Sequence, residues 1–268
     1  MAKEIFEKVP SKGVIVPRQG INPRHPFDHQ RDAMRALDAM NRLPSFSTMV
    51  VLPTGGGKTF TASNWLLKNA INKRRKVLWI AHRHMLLDQA AESFAKYAYA
   101  DLTPDIGSFS YRIVSGLAAH GRAADIRPDD DLLIASKDSL RSKPEKVKSW
   151  LAGEEEEVFL VVDEAHHATA KTYRTLIDLI KGYVPHVKII GLTATPFRTL
   201  EAEKGLLSKI FKDGIADGRV VQGQSGIAFQ IGLQDLIGRQ ILSRPVMDMY
   251  ETREVYGDTL GAKEVEAM

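Results

Sequence analysis

The chain of 268 residues has no cysteine, which excludes disulfides and thiolate metal sites and suits a reducing compartment without requiring one. No apolar run approaches the roughly 20 residues of a membrane-spanning helix, and the N-terminus does not read as a signal peptide. No internal repeat is found. Neither sign of charge dominates: Lys and Arg exceed Asp and Glu by 37 − 33 = 4, with a pI near 9.1. That balance permits a polyanionic partner without demanding one. At 44% hydrophobic residues the chain is able to bury a full core, as one large domain or two small ones. These absences together lead to the expectation of a soluble, cytoplasmic protein with no membrane contact.

What is present is a phosphate-cradling loop, Leu52-Pro53-Thr54-Gly55-Gly56-Gly57-Lys58-Thr59. Three glycines free the backbone to turn its N–H groups toward an anion, while Lys58 and the Thr59 hydroxyl are placed to meet the outer phosphates and a bound Mg²⁺. Apolar, β-prone residues precede the loop and a helical pattern follows it, which sets a helix N-terminus at the phosphates. Leu52 occupies the position where the strict fingerprint has its first glycine.

Short β-prone runs alternate with helical ones along the chain. Strands are predicted at Met49–Leu52, Val77–Ala81, Arg112–Ser115, Leu132–Ala135, Val158–Val162 and Lys188–Leu192. Helices are predicted near His29–Asn41, Thr59–Ile71, His84–Tyr97, Ser142–Leu151 and Lys171–Ile180. The alternation predicts an α/β fold, a mostly parallel sheet with helices on both faces and ligands gathered at the carboxyl ends of its strands. The acidic run after Gly153 reads as a solvated connection. Asp213–Gly232 is glycine-rich and reads as short or irregular elements.

The strand Val158–Val162 runs directly into Asp163-Glu164-Ala165-His166. Asp163, at the strand tip, is placed to hold Mg²⁺, and Glu164 to polarise a water in line with the γ-phosphate. His166 and His167 have no second His or Cys pair nearby at zinc-like spacing, so no metal site is expected there.

Taken with Pro53–Thr59 and with Thr193-Ala194-Thr195, the Asp-Glu-Ala-His tetrad resembles the first motor domain of superfamily 2 helicases and translocases. The resemblance implies a RecA-like P-loop NTPase fold that uses ATP and Mg²⁺, with Lys58, Asp163, Glu164 and His166 as the catalytic set. It implies that Thr54 to Thr59 hold the phosphates and that Gln30, in Phe27-Asp28-His29-Gln30, reads the adenine edge through its amide. Many relatives have Arg where this chain has Phe27; either Phe27 or Arg24 would stack on the base. Ile80-Ala-His-Arg83 resembles the family segment that grips one nucleic-acid strand by its backbone, and Ser136 and Ser139 lie in a further segment of that kind. Thr193 and Thr195 would couple the ATP site to the strand through His166.

The detail of these motifs is most similar to the branch of restriction-enzyme motor subunits and DNA-repair helicases, which implies DNA rather than RNA, held without sequence readout. The family's motors close a second RecA-like domain over the nucleotide. After Arg198 only 268 − 198 = 70 residues remain, too few for it. Residues 1–245 are therefore expected to form the ATP-binding domain, and 246–268 a linker or the start of a second domain, in a truncated chain or one half of a split motor. A nucleotide-gated binding module without catalysis and a small-molecule kinase are the rival readings. Glu164 weighs against the first, and Gln30 and Thr193–Arg198 against the second.

Overall fold

The structure is a computed structural model that describes residues 9–153, 157–169, 171–195 and 207–244. The acidic run 154–156, Pro196–Arg198 and the proposed linker from 246 onward lie outside the described residues. An eight-stranded sheet organises the rest. Its strands are β1 (Lys12–Ile15), β2 (Phe46–Val51), β3 (Val77–Ala81), β4 (Phe109–Val114), β5 (Leu132–Ser136), β6 (Glu157–Asp163), β7 (His186–Thr193) and β10 (Ile227–Gln230), in the order β1-β4-β5-β3-β6-β7-β2-β10. A separate hairpin, β8 (Gly214–Ala216) and β9 (Arg219–Val221), precedes β10. All pairings in the sheet are parallel except β1 with β4.

The six predicted strands are all present, with ends displaced by up to three residues, and Val77–Ala81 coincides. Their continuous apolar runs are explained by cover on both sides. Trp79, Ile134, Phe159 and Val161 point into one buried cluster, while Leu78, Ile80, Leu133, Leu160 and Val162 alternate into the other. The first cluster is closed by α1 (Asp28–Met40), α2 (Lys58–Asn69) and α3 (His84–Tyr97), through residues such as Leu37, Leu66 and Phe94. The second is closed by α4 (Lys137–Ser142), α5 (Pro144–Leu151) and α6 (Lys171–Lys181), through Leu140, Trp150 and Ile177.

Three features depart from the expectation. The predicted helix Ser142–Leu151 starts later and follows a separate α4, because Pro144 has no N–H to donate and biases Lys143 out of helical geometry (φ −142°, ψ 64°). The glycine-rich stretch does hold short elements, but one of them, β10, joins the main sheet beside β2. An antiparallel edge strand, β1, was not foreseen. Beyond the sheet, α7 (Leu233–Gly238) turns back toward the glycine loop. No helix among the described residues is long and apolar enough to cross a membrane.

Candidate functional site

The glycine loop leaves the carboxyl end of β2 and delivers the chain into α2 through Gly57, whose left-handed backbone (φ 83°, ψ 36°) suits a residue without a side chain. Each glycine is also confined by a different neighbour. A Cβ on Gly57 would stand 2.3 Å from Gln30 Nε2, one on Gly56 3.3 Å from Leu236 Cδ1 and one on Gly55 3.0 Å from Leu242 Cδ2. The loop is therefore braced from outside by α1 and by the segment around α7. No side chain caps α2, so its first-turn N–H groups remain available to an anion, beside the half-buried Lys58 and Thr59.

The start of α1 is bound to this loop. His29 Nε2 donates to the Gly56 carbonyl at 2.9 Å and Gln30 Nε2 donates to the same oxygen at 3.1 Å. The Gln30 carbonyl accepts from the Phe27 N–H at 3.0 Å, so this side chain is buried, only 1% exposed, with both ends of its amide engaged inside the protein. One further proton and one further lone pair remain to the amide for an outside partner. Phe27 is half exposed and lies nearly parallel to the His29 ring, whereas the Arg24 guanidinium covers the Phe60 ring at 4.5 Å. Of these two residues Phe27 keeps a half-exposed ring, while Arg24 is held on Phe60. The part played by His29 was not legible in the sequence, where it reads as an ordinary helix residue.

At the tip of β6 the Asp163 carboxylate is 2% exposed. Its Oδ1 accepts from the Glu164 N–H at 2.9 Å, while Oδ2 is buried and makes no hydrogen bond of good geometry. Burial, reinforced by the negative charge of Glu164, holds the Asp163 carboxyl up at about 6; the Glu164 N–H, Lys58 and the Trp79 indole offset part of that effect. A buried oxygen left without a well-formed hydrogen bond is what a bound cation would satisfy, so Asp163 fits a divalent metal.

Glu164 adopts left-handed backbone (φ 51°), a strained geometry for a residue with a side chain. One carboxylate oxygen stands 4.0 Å from Lys58 Nζ and the other 3.3 Å from His166 Nδ1. His166 Nδ1 is also 3.2 Å from the Thr193 hydroxyl. That hydroxyl donates to the Thr195 carbonyl at 3.0 Å, which leaves it an acceptor toward His166 and assigns the His166 proton to Nδ1. Thr195 reaches the network through its backbone only. Lys58, Asp163, Glu164, His166 and Thr193 are therefore brought together at the carboxyl ends of β2, β6 and β7.

The predicted strand-binding residues lie on the neighbouring half of the same edge, after β3 and β5. Arg83 is exposed at the uncapped start of α3. Ser136 is 7% exposed and caps α4: its hydroxyl accepts from the Ser139 N–H at 3.3 Å and donates to the Ser139 hydroxyl at 3.0 Å. The two serines are thus engaged first with each other, and Ser139 is the more accessible.

A mostly parallel sheet that carries a glycine loop, an acidic tip and a threonine hydroxyl on adjacent strand ends is the first motor domain of the superfamily 2 helicases and translocases. The chain belongs to the family described as Type III restriction enzyme, res subunit (ResIII), which matches residues 24–198. It is 31% identical over 191 residues to the IRC3 protein of Saccharomyces cerevisiae, covering 68% of this chain and 25% of that one. It is 28% identical over 179 residues to the ATP-dependent DNA helicase mph1 of Aspergillus fumigatus, covering 66% and 15% respectively. The chain thus spans a quarter or less of the length of these relatives. A solved structure of similar fold is the nuclease-deletion mutant of the Type ISP restriction-modification enzyme LlaGI with a DNA substrate mimic. Its TM-score is 0.51 at 17% identity, over 81% of this chain and 21% of that one.

Proposed function

We propose that this chain is the ATP-binding half of a nucleic-acid-dependent ATPase, a DNA helicase or translocase, that works inside the cell. One observation carries the reading: the Asp163 carboxylate, buried with an unpartnered Oδ2, lies beside Glu164, Lys58 and an uncapped glycine-loop helix. Thr54 to Thr59 would hold the phosphates, with Asp163 and Thr59 holding Mg²⁺. The ion, when bound, would offset the negative charge that develops on the phosphates. Glu164, held between Lys58 and His166, would orient and deprotonate the attacking water. Phe27 offers a face to the adenine, and Gln30 keeps one donor and one acceptor for its edge.

Arg83, the N–H groups at the start of α3 and the Ser136–Ser139 turn would follow one strand by its phosphates. The relatives' names support DNA as that strand. A second motor domain, in cis or on another chain, would close the cleft and complete catalysis.

The test is ATP binding and turnover by this chain with and without single-stranded DNA. Expected are Mg²⁺-dependent binding that Lys58→Ala abolishes and Glu164→Gln retains, and turnover far below that of a complete motor. Absence of nucleotide binding would overturn the ATP site. Turnover at a motor-like rate on addition of DNA would overturn the need for a second domain.

A further inference from the structure

β3 and β6 are neighbours in the sheet, and the residues that follow them form a seam between the two halves of the carboxyl edge. His82 follows β3, and His166 and His167 lie in the 3₁₀ turn after β6. The rings of His82 and His167 meet edge to face with centroids 4.1 Å apart, and those of His167 and His166 are 4.2 Å apart. At one end of this stack, Arg83 Nε donates to His82 Nε2 at 3.2 Å. At the other end, His166 Nδ1 faces Glu164 and Thr193 at 3.3 and 3.2 Å. Each link from the exposed guanidinium to the candidate water-activating carboxylate is therefore a direct contact.

The chemistry of His82 suits the middle of such a path. Because Nε2 accepts from Arg83, the neutral ring carries its proton on Nδ1, and that atom is buried with no hydrogen-bond partner. Burial, with His167 and Arg83 close by, lowers the imidazole's pKa to about 4, so it stays neutral and serves Arg83 as an acceptor. A phosphate that draws the Arg83 guanidinium away removes its hydrogen bond to the His82 ring. The ring then loses the partner that fixes its orientation while its buried Nδ1 still has none, an arrangement that favours reorientation over staying in place.

We propose that His82 is a positioning residue that couples engagement of a nucleic-acid strand at Arg83 to the setting of Glu164, through the stack His82–His167–His166. The proposal rests on the reading above, in which Arg83 meets the strand and Glu164 acts in the ATP site. Neither His82 nor His167 touches nucleotide or strand in it. Their removal should therefore uncouple the two sites while leaving each able to bind.

The test is a thermodynamic cycle on this chain. Affinity for a single-stranded DNA oligonucleotide is measured with and without Mg²⁺ and a non-hydrolysable ATP analogue, and the ratio of the two dissociation constants is the coupling factor. The wild-type chain is expected to give a factor of about 5 or more in either direction. His82→Ala and His167→Ala are each expected to bring it within about twofold of unity, with both single-ligand affinities little changed, a pattern that loss of folding does not produce. His82→Phe keeps a ring but no acceptor, and is expected to lose coupling as well. It also carries the test if His82→Ala fails to fold. A wild-type factor retained in these variants overturns the proposal and leaves the functional reading standing, as does a factor of one in the wild type when both ligands bind. A wild-type chain that binds no DNA overturns the reading of Arg83, and the proposal with it.

Discussion

Replacing Asp163 by Asn is expected to stabilise the ligand-free protein at neutral pH, although it removes a candidate metal ligand. The carboxylate is almost fully buried, with one oxygen lacking a partner, and its pKa stands at about 6 against an ordinary value of 3.8. Between those two values the folded chain holds the proton that the unfolded chain has released, so this group subtracts stability progressively as pH rises through them. Above pH 6 the whole penalty is present. A displacement of about two pH units corresponds to roughly 3 kcal/mol, less whatever burial of the amide itself costs. Asp163→Asn avoids the charge and keeps a carbonyl for the Glu164 N–H. Urea unfolding of both proteins at pH 4.5, 6 and 7.5, without Mg²⁺ or nucleotide, measures the effect. The variant's advantage should grow across this range to about 2 kcal/mol or more. ATP with Mg²⁺ should then raise the stability of the wild type and not of the variant, since only a ligand bound to the folded state stabilises it. An advantage that does not grow with pH, or a variant less stable than the wild type at pH 7.5, would refute the account of a buried, charged Asp163.

Two further substitutions test the glycine loop and a buried ion pair of the fold. Gly57→Ala places a side chain on a left-handed backbone and drives Gln30 from its bond to Gly56; a loss of roughly 1–3 kcal/mol in thermal or chemical unfolding is expected, with weaker nucleotide binding, and an unchanged melting temperature would contradict it. Asp130→Ala leaves buried Arg112 without the carboxylate it meets at 2.7 and 3.0 Å; a loss of about 3–5 kcal/mol is expected in urea unfolding, and a loss below about 1 kcal/mol would show that water reaches the guanidinium.

Local pattern was enough wherever one element declares itself alone. Val77-Leu-Trp-Ile-Ala81 is uninterrupted and apolar because helices cover both of its faces, and His84–Tyr97 has the helical spacing that the structure shows. β1 was missed because Lys12-Gly-Val-Ile15 is a short edge with an exposed Val14, which leaves no alternation to detect. β10 was missed because its four residues lie among glycines and are fixed by pairing with β2, a partner far away in the chain. At the site, residue types at the strand ends gave the chemistry, but not the contacts. Nothing local shows that Gln30 lies against Gly57, that Ser136 is spent on Ser139, or that His82 meets His167. Those facts arise only when the order of strands across the sheet brings separate segments together.

That order has a consequence for how the protein comes into being. The family match ends at residue 198, after the last of the recognisable motifs, yet β2, which carries the phosphate loop, lies between β7 and β10. Two of the three loop glycines are packed by Leu236 and Leu242. A nascent chain that has displayed every motif therefore still has β2 open along one side, and its pocket cannot close until residues up to 242 have left the ribosome. The unit that folds is longer than the unit that can be recognised, and its phosphate loop, an early motif in the chain, is among the last parts to be finished.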